Sequence, residues 1–407
     1  MPAITRRRAM GLGAGALAAG ALAACSDSSA APTNGTGAGD PAAGESMSVT
    51  IGFLPITCAS PIISAASLGV FEKHGIDVTL KKFAGWADIW SAYASGELTV
   101  AHMLAPMPLA INHGLAGNRV GTRLALIANT NGQAITLAKR HMNTVSRARD
   151  MEGFTLGIPF DYSMHNFLLR DYLAADGLDP DRDVQIRVMR PADMVANLAT
   201  GNIDGYLGPG PFNQRSVAAG HGYLHTLTST MWAGHPCCSL AANTDWASSN
   251  PKTYAALVGA VTESAIWCDD PSHRVEAANS MAPEKFLNQD PVLLRSVLTG
   301  SVAAANDREP VDPGTASDRI GFQPRPDVAS GMWIGTQFTR WGLGDLAGAG
   351  DTDTLRTAVE DTFDTRTVAE AFPSTTTPPS PRTEFTVNGR SFSVSDPWPW
   401  TDKEVAR

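Results

Sequence analysis

An α/β fold of two lobes around a central cleft is the class this sequence predicts, and three observations carry the expectation. Strand and helix signals alternate from Ser48 onward. The alternation stops and restarts near Met151. The two blocks also share a device: the helix ends "ASGELTVAH" and "ATGNIDGYL" each close on a glycine and lead into a strand. Length and composition agree: 407 residues, 43% hydrophobic and 17% charged, are enough for more than one core. The net charge of −9 argues against a nucleic-acid partner.

Residues 1–24 stand outside that fold. Arg6, Arg7 and Arg8 precede an uncharged Ala/Gly-rich run that ends at "LAAC", Leu22–Cys25. A basic start, a short apolar run and small residues before a cut read as an export signal, and the run is short for a membrane span. "TRRRAMG" resembles a twin-arginine signal and "LAAC" resembles a lipoprotein box, which implies lipidation at Cys25 and an outer-face membrane anchor. Residues 25–47 are rich in Ser, Ala, Gly, Pro and Thr, the composition of a flexible tether. As a coil it would reach roughly 25 Å.

The body follows in order. "VTIGFLP" (49–55) is an apolar strand. The helix expected over 60–75 has Ser60 as cap, Pro61 in its first turn and Gly75 as stop. A strand over 76–83, a helix over 86–96 and a strand over 98–104 come next, and "RLALIANT" and "AITLAK" extend the sheet. The second block has a strand over 154–160, a helix over 163–177 capped by Ser163, a strand over 184–189, a helix over 191–201 and a strand over 203–208. Helical patterns fill 251–305 and 328–342, and "EFTVNGRSFSV" (384–394) reads as a hairpin turning at Asn388-Gly389. The expected division is therefore 48–137 plus 239–345 as lobe I, 138–238 as lobe II, and 346–407 as an extension carrying the hairpin. Hinges are expected near Leu137–Arg140 and His235–Leu240.

Open α/β sheets bind ligands beyond the carboxyl ends of their strands, where helix N-termini offer free N–H groups and partial positive charge. Three such starts, at Ser60-Pro61, Trp86 and Ser163–His165, favour a small anion in the cleft. Trp86 reads either as a cleft wall with an indole donor or as a core tryptophan stacked on Trp90. His165 reads either as a donor in the first turn of its helix or as a satisfied helical histidine. No phosphate-binding lysine loop, G-x-S-x-G elbow or H-E-x-x-H pair occurs.

At "GFLPITCASPIISAASLGVFEKHGIDVTL", "LAPMPLAI", "NTNGQAI", "MVANLATGNIDGYLGPGPFNQ", "MWAGHP" and "MWIGTQFTRWG" the chain resembles the nitrate- and bicarbonate-binding lipoproteins of ABC importers, within the wider sulfonate and taurine binding class. That resemblance implies a type II periplasmic-binding-protein fold, no cofactor and no catalysis. It also implies an exported, lipid-anchored monomer that delivers a small oxoanion to permease and ATPase subunits. It puts anion contacts at Trp86, Gln133 and His165.

Three positions depart from the family pattern. Cys238 stands where nitrate binders carry a lysine and bicarbonate binders an acid. Pro209 replaces a glycine and removes an N–H. Cys58 replaces an acid of the first loop. The full positive charge of a nitrate site is therefore expected to be missing. Three readings of Cys58, Cys237 and Cys238 stay open: buried thiols, a disulfide from Cys58 to one of the pair, or, with His165, a thiol-lined pocket for a soft metal ion or metal complex. A hydrolase using Cys58 or Cys238 with His165 as base is a further alternative. Cys268, in "IWCDD", reads as a buried thiol.

Overall fold

The computed structural model describes residues 47–115, 117–303, 310–311, 316–346, 350–374 and 380–403. The export signal, Cys25 and nearly all of the expected tether lie outside the described residues. Among the described residues no helix is long and apolar enough to cross a membrane.

Two sheets organise the body. The first has six strands, in the order Ile320–Gly321, Thr122–Asn131, Pro236–Asn243, Val100–Leu104, Ser48–Phe53 and Asp77–Lys82. Ser48–Phe53 runs parallel to both of its neighbours, and Pro236–Asn243 runs antiparallel between Val100–Leu104 and Thr122–Asn131. The second sheet has five strands, in the order Gln185–Val188, Thr155–Ile158, Gly205–Pro209, Gln133–Ala138 and Gly222–Leu227. Apolar runs become central strands because both faces are covered: Ile51, Phe53, Val100, Met103, Leu124 and Leu126 are all buried.

Three local expectations change. Ser60 is the first residue of the helix Ser60–Ser67 rather than its cap, and its hydroxyl donates to the Thr57 carbonyl at 2.6 Å. The helix expected over 60–75 is broken at Gly69, whose φ of 70° lies in the left-handed region, and resumes as Val70–Lys73. "AITLAK" does not extend the first sheet. Gln133–Ala138 pairs with Gly205–Pro209 and Gly222–Leu227, so the chain changes sheet at Asn131-Gly132, ahead of the expected Leu137–Arg140.

That crossing needs glycine. Gly132 has φ 96°, and a Cβ there would lie 3.0 Å from Asn129 Nδ2 and 3.1 Å from Ile320 Cδ1. The crossing is tied to its surroundings by the Gly132 N–H on Arg319 O (2.9 Å), the Asn131 N–H on His235 O (3.0 Å) and the Gly210 N–H on Gly132 O (3.2 Å).

The segment beyond 345 carries two helices in addition to the expected hairpin. Helices Thr352–Thr362 and Thr365–Ala371 bury Val359 and Val368, and Phe363 is buried between them. The hairpin forms as expected, Glu384–Val387 against Arg390–Ser393, with positive φ at both Asn388 and Gly389. Phe385 stacks on Trp232 with ring centroids 4.3 Å apart. Buried Asp171 accepts from Arg340 and, at 2.8 Å, from Asn388, joining the Met164–Ala175 helix to the hairpin turn.

Candidate functional site

Of the expected contacts, Trp86 and His165 are ring neighbours, and Gln133 begins its strand at the crossing between the sheets. Trp86 opens the helix Trp86–Ala94 after an extended Gly85. It is buried, and its indole Nε1 has no partner. Its ring faces His165 at 6.3 Å between centroids, while Trp90 stacks on Tyr162 instead. His165 sits in the first turn of Met164–Ala175, held by the Ser163 cap, whose hydroxyl accepts from the Asn166 N–H at 3.0 Å. Both imidazole nitrogens of His165 are unpartnered. Burial pulls its pKa down to about 3, and His235 nearby acts in the same direction, so the ring is neutral at pH 7.

Gln133 begins its strand opposite Pro209. Its Oε1 accepts from the Thr228 hydroxyl at 3.0 Å, which leaves the Nε2 group as a buried, unpartnered donor. Pro209 offers no N–H. The adjoining Gly210 carbonyl accepts from the Thr57 amide and hydroxyl, at 3.0 and 2.9 Å, and so binds one sheet's loop to the other's first turn.

A buried cation absent from the sequence reading is Arg319, beside Asn213 and the Cys58 thiol. It lies just before the Ile320–Gly321 strand and is 1% exposed. Nη2 reaches Asn213 Oδ1 at 3.4 Å, and Nε and Nη1 have no partner among the described residues. Burial lowers its pKa to about 10 against an opposing effect of Cys58, so it stays a cation at neutral pH. An unpaired cation in a dry interior is costly, and a bound anion removes that cost. Asn213 Nδ2 is also buried and free. Nothing in "TASDRIGF" marked Arg319: the stretch has no periodicity and lies outside every motif singled out above.

The cysteines converge. Cys58 lies in the turn Thr57–Ala59, and its sulfur is 3.9 Å from that of Cys237, which is 3.6 Å from that of Cys238. Successive residues of a regular strand point to opposite faces. Here the register against Thr122–Asn131 slips on both sides of Cys238, and this bulge lets both thiols face Cys58. The sulfurs are not bonded to one another. Burial opposes a thiolate at Cys58, but hydrogen bonds from Cys237 and Cys238 and the Arg319 charge outweigh it and hold this thiol well below its usual range. Burial pushes Cys237 and Cys238 up. His165 stands apart from the cluster: neither of its nitrogens hydrogen-bonds a thiol, so no Cys–His pair is formed. Cys268 is elsewhere, buried, with its thiol on the Ser64 hydroxyl at 3.4 Å.

The NMT1-like family matches residues 42–282. The nitrate/nitrite binding protein NrtA of Synechococcus elongatus is 30% identical over 355 residues, 81% of this chain and 78% of that protein. The bicarbonate transport ATP-binding protein CmpC of Synechocystis is 33% identical over 312 residues, 73% of this chain but 46% of that protein, so the chain spans about half the length of this relative. Among solved structures, the periplasmic nitrate-binding protein NrtA from Synechocystis superposes with a TM-score of 0.80 at 25% identity, covering 88% of this chain and 98% of that one. The two-sheet body has the periplasmic-binding-protein fold.

Proposed function

The chain belongs to the NMT1-like family, and from that premise we propose that it is the extracytoplasmic solute-binding component of an ABC importer, capturing a small oxoanion of the nitrate, bicarbonate or sulfonate kind. The observation that carries this reading is a set of buried donors without protein acceptors: Trp86 Nε1, Gln133 Nε2, Asn213 Nδ2, and Nε and Nη1 of Arg319. Buried polar groups are nearly always paired, so this set calls for an acceptor from outside the chain. An anion supplies acceptors on every side and neutralises Arg319. Full burial of the donors restricts the solute to a small one. His165, neutral, gives one further N–H. Pro209, Cys58 and Cys238 complete the wall without adding a backbone donor or a carboxylate. The division into two lobes that close on the solute, the twin-arginine-type export, the lipid on Cys25, the monomeric state and the permease and ATPase partners belong to the same proposal.

Isothermal titration with nitrate, nitrite, bicarbonate and methanesulfonate tests it. At least one of these is expected to bind, and Trp86→Ala is expected to abolish that binding. An anion held equally well by native and Trp86→Ala protein would refute the site. No binding of any of the four would refute the solute class.

A further inference from the structure

A second binding site lies beside the donors just described, and its case stands on sulfur geometry rather than on the anion reading. We infer that Cys58, Cys237 and Cys238 form a three-sulfur site for a single soft monovalent metal ion, Cu(I). The three sulfurs all lie within 4.8 Å of one another, with two of the separations at 3.6 and 3.9 Å. A metal about 2.3 Å from each of three sulfurs in one plane sets them roughly 4.0 Å apart. The site is therefore already near the size of the complex.

The backbone supports the convergence. Cys58 is carried by a tight turn fixed to Gly210, and the Cys238 amide donates to Asn129 Oδ1 at 3.2 Å where the strand bulges. The Asn129 amide in turn donates to Asn131 O at 3.0 Å, at the crossing between the sheets. Adjacent cysteines fit a disulfide with each other poorly, because consecutive Cα atoms lie about 3.8 Å apart, closer than the usual disulfide span. Turned together by a bulge, they present two ligands to one point.

Ligand number and charge select the metal. Sulfur donors favour Cu(I), zinc and iron–sulfur clusters. Zinc takes four ligands in a tetrahedron; among the described residues no histidine, carboxylate or further cysteine joins the three sulfurs, and all three are fully buried, so a zinc ion here would have to bring a water into a dry site as its fourth ligand. Three ligands suit Cu(I). Each coordinating thiol gives up its proton to solvent, the copper stays in the +1 state throughout, and no electron is transferred. The buried Arg319 guanidinium offsets part of the negative charge of the thiolate complex, and it repels a divalent cation about twice as strongly as a monovalent one.

The test is an anaerobic titration of the reduced full chain with Cu(I) against the chelator bathocuproine disulfonate. One equivalent is expected to bind, with near-ultraviolet thiolate-to-copper absorption. X-ray absorption at the copper edge of the native protein is expected to show three sulfur neighbours. Outer-shell changes alone cost about 10–100-fold in metal affinity, so Cys58→Ser, Cys237→Ser and Cys238→Ser are each expected to lose more than about 100-fold. Cys25→Ser and Cys268→Ser are expected to retain the full equivalent. The native spectrum decides the matter if a serine variant does not fold. A nitrogen or oxygen shell, full binding by all three serine variants, tighter four-coordinate Zn(II) than Cu(I), or a Cys58 disulfide in protein taken anaerobically from cells would each overturn the assignment. A failure here leaves the anion titrations standing, because they do not involve copper.

Discussion

Replacing Arg319 with leucine separates a ligand-binding cation from a structural one. Two of its N–H-bearing nitrogens, Nε and Nη1, have no protein partner, and the third contact, Nη2 to Asn213 Oδ1, is long at 3.4 Å. If both free groups hydrogen-bond the anion, each charged bond contributes about 1.5–3 kcal/mol. Their loss is then about 3–6 kcal/mol, or roughly two to four decades in affinity. The solute-free protein should move the other way. Burial costs Arg319 more than the attraction of the neighbouring Cys58 thiol returns, so removing the cation relieves part of a desolvation cost of several kcal/mol, and a hydrocarbon of similar girth packs in its place. The backbone anchor, Gly132 N–H on Arg319 O, survives the substitution. Arg319→Leu is therefore expected to weaken nitrate binding by about 100-fold or more in isothermal titration while raising the melting temperature of the solute-free protein. Arg319→Lys, which keeps the charge but not the two-nitrogen reach, should fall between. A leucine variant that melts earlier than the native protein and binds nitrate within about twofold of it would show that Arg319 holds the fold and does not touch the solute.

Two further predictions concern acid and anchoring. His102 and His165 are fully buried, have no hydrogen-bond partners, and have pKa values pulled by burial to about 3, against 6.5 for the free side chain. The unfolded chain takes up these protons first as pH falls, so stability is fully present above pH 6.5 and is lost progressively toward pH 3. The slope is as much as roughly 1.4 kcal/mol per pH unit for each ring. Urea midpoints should fall steeply between pH 6.5 and 5, and His102→Gln should flatten the profile; a flat native profile would refute the account. In the exporting cell, Cys25→Ser should release the protein to the medium or leave it unprocessed, as fractionation and gel mobility would show, whereas unchanged membrane retention would remove the lipid anchor from the proposal.

What the sequence determined by itself is what a few consecutive residues decide. Ser163 caps its helix because its own hydroxyl reaches the amide of Asn166. Asn388-Gly389 turns a hairpin because only those two φ angles must be positive. Trp86 and His165 open helices, and apolar runs make strands, because the periodicity of the chain carries that information. The restart of the alternation near Met151 does not mark the change of sheet, because Gln133–Ala138, ahead of it, already belongs to the second sheet and Pro236–Asn243 returns to the first.

Tertiary structure decided the rest. "AITLAK" is as good a strand for either sheet, and only the partners Gly205–Pro209 and Gly222–Leu227 choose between them. The helices Thr352–Thr362 and Thr365–Ala371 precede the Pro/Thr-rich run "FPSTTTPPSPR" and exist because Val359 and Val368, with Phe363 between the two helices, find apolar surface to cover. The convergence of Cys237 and Cys238 on Cys58 depends on a register slip against Thr122–Asn131, a property of the pairing and not of either cysteine. Arg319 shows the limit most plainly. Its place beside Asn213 and within the electrostatic reach of Cys58 is made by contacts more than a hundred positions apart in the chain. No local pattern can announce a buried cation, because burial is conferred by distant segments that close over it.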